Sequence, residues 1–235
     1  GLLKKSVNNH LTALRKLLNL AVEWNVLDKA PKVRGFNEKN DYVNEDEYLT
    51  FEEADRFLRA AAPEWRTFLV VALKTGLRVG ELLALQWQDV DLVAGHLIVR
   101  RTLWNGQEGP PKGGRNRKGP LSDVALATLK AHRHLRGPYV FCDEAGKRLS
   151  HSIVKDVVPS TCTRAKLSKR VTTHGLRHTF ASHLVMRGAS LKAVQELLGH
   201  ESIEMTLRYS HLTPAGKRDA VRLLDRTEDP GAIRE

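Results

Sequence analysis

Cysteine is nearly absent from this chain. Cys142 and Cys162 are the only two among 235 residues, too few for a disulfide framework, and they fit a reducing compartment. Aromatic residues reach only 6%, so no stacking platform for single-stranded nucleic acid is suggested. No apolar run approaches the roughly 20 residues of a bilayer-spanning helix, so no membrane partner is expected. A secretory apolar core is missing at the start, and neither internal repeats nor low-complexity tracts are visible. What remains is 41% hydrophobic and 28% charged, an ordinary globular composition that excludes bulk disorder. At about 150 residues per domain, the length allows one large domain, or one domain plus a fragment.

Acidic residues are scarce in particular places. Lys and Arg number 38 against 27 Asp and Glu, a net charge of +11. Such a surface favours a polyanion. From Val157 to Gln195 there is no carboxylate but seven Lys/Arg and three His. The stretch Gly109–Pro120 carries Lys112, Arg115, Arg117 and Lys118 and no acid. A solvated surface that happens to be basic explains this less well than a contiguous phosphate-facing one. Arg164, Lys166, Lys169 and Arg170, with Arg115, Arg117 and Lys118, are therefore candidate phosphate contacts, whether to DNA, RNA or an acidic membrane face.

The chain begins at Gly1 and reads as part of a longer one. Val7, Leu11, Leu14, Leu18, Ala21 and Trp24 recur at helical spacing and predict an amphipathic helix over 7–27. Polar residues 36–48 read as a linker. Thr50 and Glu53 form a capping box that opens a second helix, expected to run to Thr75 and stop at Gly76. A third starts at Arg78. Residues 96–104 alternate as strands do, and a basic hairpin follows to Leu121. Further helices are expected over 122–135, 150–166, 175–187, 190–198, 202–209 and 214–225, with Ser190, Ser202 and Thr213 as N-caps. The fold class is α+β, mostly helical, with a small antiparallel sheet or hairpin on one side.

Four stretches carry chemistry. In Thr75-Gly76-Leu77-Arg78-Val79-Gly80-Glu81-Leu82, Arg78 opens a helix, where a cation opposes the helix dipole unless it faces an anion. Glu81 lies on the same face and can orient it. A surface ion pair of small energy accounts for the two residues equally well. In His174-Gly175-Leu176-Arg177-His178, His174 and Arg177 share a helical face. His174 and His178 also have zinc-helix spacing, but no third ligand is near and Arg177 would repel a cation. His178 and His183 suit core histidines. Leu198-Gly199-His200 is the third stretch. Tyr209 is the fourth, a poor nucleophile at its ordinary pKa of about 10 unless cations assist it. Two arginines, two histidines, a lysine and a tyrosine are the groups needed to cleave a phosphodiester without a metal. Arginine forks bind the non-bridging oxygens and stabilise transition-state charge.

With these boxes in this order, the sequence resembles the tyrosine recombinases of the phage integrase type. The hairpin from Lys112 to Leu121 resembles the lysine segment of that family. The resemblance implies a catalytic domain over 49–212, preceded by the last helix of a truncated core-binding domain (1–35) and a linker (36–48), and followed by a C-terminal helix and tail (213–235). It implies that Arg78 and Arg177 bind the scissile phosphate, with Glu81 supporting Arg78. His174 would be a general base or phosphate ligand, His200 a phosphate ligand, and Lys112 the general acid. Tyr209 would form a 3′-phosphotyrosyl link. No metal or cofactor would be needed. The implied partners are double-stranded DNA, a homotetramer on synapsed DNA (a monomer without it) and accessory DNA-bending proteins. The implied location is the cytoplasm, associated with the nucleoid. The terminal helix would pack on its own subunit or on a neighbour. Three rivals share some of these features: a type IB topoisomerase, a non-catalytic helix-turn-helix binder, and an RNA-binding module, for which no motif is visible.

Overall fold

The computed structural model describes residues 4–36, 43–214 and Val221. The chain forms two compact units, divided after Asp41. In the first, helix α1 (Lys4–Glu23) is followed by an extended segment tied back along it. Asn8 exchanges two hydrogen bonds with the backbone of Phe36, at 2.9 and 2.8 Å, and Arg15 Nε donates to the Val33 carbonyl. Leu14 and Leu17 on α1, and Trp24 just after it, stay exposed.

In the second unit, the Thr50 capping box opens α2 (Phe51–Arg59) as expected. One helix to Thr75 does not follow. The chain breaks at Ala60–Ala62 and restarts as α3 (Pro63–Thr75), with Pro63 in the first turn. Proline has no N–H and clashes inside a helix, but costs nothing where the N–H has no helical partner. Gly76, at φ +62°, ends α3, and α4 (Val79–Leu83) starts behind Arg78. A three-stranded antiparallel sheet has the order β1 (Val90–Asp91), β2 (His96–Val99), β5 (Arg117–Pro120). Its register pairs Val99 with Arg117 and His96 with Pro120. A separate hairpin joins β3 (Thr102–Trp104) to β4 (Gln107–Gly109). Its two-residue turn, Asn105-Gly106, has positive φ at both positions, the conformation that suits a tight hairpin. The basic segment is therefore not one hairpin: residues 110–116 loop from β4 to β5, and Arg117 and Lys118 lie on β5, which pairs with β2.

Helix α5 spans Asp123–His132. The helix expected over 150–166 is two, α6 (His151–Val154) and α7 (Val157–Arg164), with Pro159 again in a first turn. Then come α8 (Thr173–Met186), α9 (Leu191–Leu198) and α10 (Glu204–Leu207). Ser190 caps α9 through the Ala193 N–H, but α10 begins after Ile203 with no side-chain cap, so Ser202 is not its N-cap. Thr213 follows a short 3-10 turn over Ser210–Leu212, and of the helix expected over 214–225 only Pro214 and Val221 lie among the described residues.

α8 runs through the middle, its two faces serving two apolar clusters. Leu176 joins Leu49, Phe57, Phe68, Leu69, Leu82, Leu83, Leu97 and Leu129 in the larger one. Each such side chain stabilises the fold by about 1.5–3 kcal/mol through burial. Ala181 and Val185 join Val43, Tyr48, Val194, Leu198 and Tyr209 in the smaller. Residues 43–48, expected as linker, thus supply core. Val43 and Tyr48 are buried, and the Val43 N–H donates to the Arg208 carbonyl at 3.1 Å.

Candidate active site

Two helix ends meet at Arg177. Its guanidinium is buried and donates from Nη1 to the Gly76 carbonyl and from Nη2 to the Leu198 carbonyl, both at 2.7 Å. These are carbonyls at the ends of α3 and α9, where the helix dipole is negative. Both helices stop at a left-handed glycine, Gly76 or Gly199. A Cβ at Gly76 would meet the Phe180 ring at 2.4 Å, so any other residue there must displace that ring as well as take a left-handed φ. Burial, with the Arg78 and Arg117 charges, draws Arg177 down to about 9. It remains a cation at neutral pH.

Arg78 stands at the start of α4, three-quarters buried. Its backbone N–H and its Nη1 donate to the two oxygens of Glu81, at 2.8 and 3.0 Å. Arg117 on β5 grips the same carboxylate from the other side, Nη1 to Oε1 at 2.9 Å and Nη2 to Oε2 at 2.6 Å. Burial pushes the Glu81 carboxyl up, but the hydrogen bonds and charge of Arg117, with those of Arg78, outweigh it and hold the pKa below the usual range. Glu81 is a buried, ionised hub rather than half of a surface pair.

Lys112, Gly113, Arg115 and Arg117 share an open cleft of about 510 Å³ with Gly199, His200 and Glu201. Lys112 is exposed on its rim. The His200 ring is held through Nδ1 by the Thr206 hydroxyl at 2.8 Å. Burial and the charges of Arg177 and Arg78 keep it neutral, with a pKa near 3. His174 is also pushed down, by burial and then by Arg177, and its ring stands edge-on to His178 at 4.5 Å.

Tyr209 is 1% exposed, and its hydroxyl lies 2.7 Å from His178 Nδ1. Burial raises its pKa to about 12, although Arg208 and Arg177 pull the other way. His178 Nε2 faces Glu47 at 4.0 Å, and Glu47 pairs with Arg208 at 2.9 Å. His178 therefore spends Nδ1 on the tyrosine, which is not the arrangement of a zinc helix. Sequence reasoning placed His178 in the core and missed this contact with Tyr209. It also placed Glu47 in a linker. The spacing of His178 from Tyr209, 31 residues, carries no helical periodicity that could have revealed the pair.

The basic candidates divide. Arg117 is committed to Glu81. Lys169 pairs with Glu53 at 2.8 Å and donates to the Glu45 carbonyl, and Arg164 donates to Ala60 and Thr161. Arg115, Lys118, Lys166 and Arg170 are exposed.

The model of the phage integrase family matches residues 47–215. Tyrosine recombinase XerD of Staphylococcus saprophyticus is 30% identical over 227 residues, which cover 91% of this chain and 74% of that one. The integrase of transposon Tn1549, solved with circular intermediate DNA, superposes with a TM-score of 0.79 at 23% identity, covering 97% of this chain and 81% of that one. The catalytic domain of bacteriophage HP1 integrase is 27% identical with a TM-score of 0.57, covering 77% of this chain and 98% of that one. The four boxes, the fold that gathers them and these likenesses agree: the chain belongs to the phage integrase family and is a tyrosine-type enzyme of site-specific DNA recombination.

Proposed function

We propose that this chain cuts and rejoins double-stranded DNA through Tyr209, without a metal. The observation that carries this is the convergence of Arg78 and Arg177, held by Glu81 and two helix-end carbonyls, beside a cleft lined by Lys112 and His200. Each arginine has nitrogen donors beyond those bonds, suited to the non-bridging oxygens of a phosphate. His200, fixed through Nδ1, offers Nε2 to the same anion. Tyr209 Oη attacks phosphorus as its proton passes to His174. The bond from phosphorus to the 5′-oxygen breaks, and Lys112 gives that oxygen a proton. A 5′-hydroxyl from a second duplex reverses the steps. The ester energy is kept in the phosphotyrosyl link, so no nucleotide cofactor is consumed.

At 1% exposure, Tyr209 is out of reach of a backbone phosphate. It must leave His178 and enter the cleft before it attacks. Arg115, Lys118, Lys166 and Arg170 contact DNA backbone. Residues 1–35 are the end of a core-binding domain that completes the DNA clamp. Exchange takes four copies on two synapsed duplexes in the nucleoid, with DNA-bending proteins as helpers, and the free chain is monomeric.

The test is covalent capture on nicked duplexes of randomised sequence in EDTA, quenched in SDS. The chain gives a DNA-linked band that maps to Tyr209 and vanishes with Tyr209→Phe. A band that survives Tyr209→Phe, or one that needs added Mg²⁺, refutes the reading.

A further inference from the structure

We infer that Arg117 is a positioning residue of the cleavage site, acting through Glu81 to hold Arg78 toward the phosphate. The inference rests on the chemistry proposed above. The Glu81 carboxylate is 1% exposed and receives four donors, two from Arg78 and two from Arg117. The Arg117 side chain is only 13% exposed, and both of its terminal nitrogens are spent on Glu81. It is therefore poorly placed to be the DNA contact that its charge suggests.

The division of labour follows from acceptor capacity. A carboxylate has about four lone-pair sites, and Arg117 fills two of them with a planar fork. Arg78 then needs to give Glu81 only one side-chain nitrogen. Without Arg117, a buried carboxylate would be left half-satisfied, a costly state that is relieved by drawing the Arg78 fork inward. Arg78 would then turn from the phosphate to its own carboxylate.

Arg117 also joins three segments that the chemistry requires. Through Glu81 it meets the start of α4. Its own strand, β5, is pinned to β2 by the pairing of Arg117 with Val99, and follows the loop that carries Lys112. Its side chain lies flat on Gly199, where a Cβ would stand 2.8 Å from Arg117 Cδ. Gly199 directly precedes His200. One guanidinium thus sets the spacing between the arginine box, the lysine loop and the histidine box.

The test uses the whole chain and duplexes of the cut site that wild-type adducts select from a randomised pool. Arg117→Gln should slow adduct formation about 100-fold at saturating DNA, the scale of losing one aligned donor, while affinity changes less than about threefold. Arg117→Lys keeps the charge but not the fork, and should remain slow. With Glu81→Gln present, adding Arg117→Gln should cost little more. A methylphosphonate at the scissile position removes the charge that Arg78 neutralises, so the gap between Arg117→Gln and wild type should narrow. A merely structural role would leave that gap unchanged, and such a result overturns the inference. So does a loss confined to affinity and its salt dependence, which would make Arg117 a phosphate contact. Additive losses with Glu81→Gln overturn it as well. A wild-type chain that forms no adduct on any duplex defeats the recombination chemistry itself, and the inference with it.

Discussion

Arg177 ties two helix ends together and, in the proposed reaction, also holds the phosphate. Its fork ties the end of α3 to the end of α9 through two 2.7 Å bonds, each worth about 1.5–3 kcal/mol when a donor is charged. Lysine keeps the charge and loses this geometry. Arg177→Lys should lower unfolding free energy in urea by roughly 2–4 kcal/mol and slow adduct formation by more than about 100-fold. Loss of activity with an unchanged urea midpoint would separate the two roles and contradict this. His174 and Arg177 were legible because a helix puts residues three apart on one face. The contact between His178 and Tyr209 was not, because nothing local joins a residue on α8 to one in the turn after α10. The partner of Arg117 was hidden for a related reason. The charge of this arginine suggested DNA, and only the fold supplied the carboxylate that claims it.

At the scale of elements, the glycines and prolines act as stops. Gly76 needs a positive φ and lies under the Phe180 ring. Gly76→Ala adds both left-handed strain and overpacking. It should cost roughly 2–4 kcal/mol in urea unfolding and, because the Gly76 carbonyl holds Arg177, slow cleavage too. A cost under about 0.5 kcal/mol would mean that the turn relaxes freely. The stop at Gly76 was readable in advance, as was the Thr50 capping box. The breaks before Pro63 and at Lys155–Asp156 were missed because apolar periodicity continues across them, while the backbone does not. Ser202 has a capping side chain, yet α10 starts after Ile203. The Ser202 side chain bonds the Glu204 side chain instead of a free backbone N–H.

Across the whole molecule, the second unit stores several histidines in the neutral form. Burial, reinforced by neighbouring cations, sets His178 and His200 near 3 and His183 near 4, against an ordinary 6.5. The unfolded chain takes up these protons first, so it binds more protons than the folded one below pH 6.5. The stabilisation is complete above that pH and is lost progressively as pH falls toward 3–4. Between pH 6.5 and 5 carboxylates barely titrate, so a melting temperature that falls over this window reports the histidines. A flat profile there would contradict their burial as neutral rings. The amino-acid order alone determined the candidate groups, their boxes and the mostly helical frame, since these depend on residue type and on spacings within a turn or two. Only the tertiary structure decided that Glu81 serves two arginines, that Val43 and Tyr48 pack in one cluster with Tyr209, and that Tyr209 rests on His178. Each of these joins residues far apart in the chain, and their pairing depends on which buried charges and hydroxyls the packed core forces to find partners.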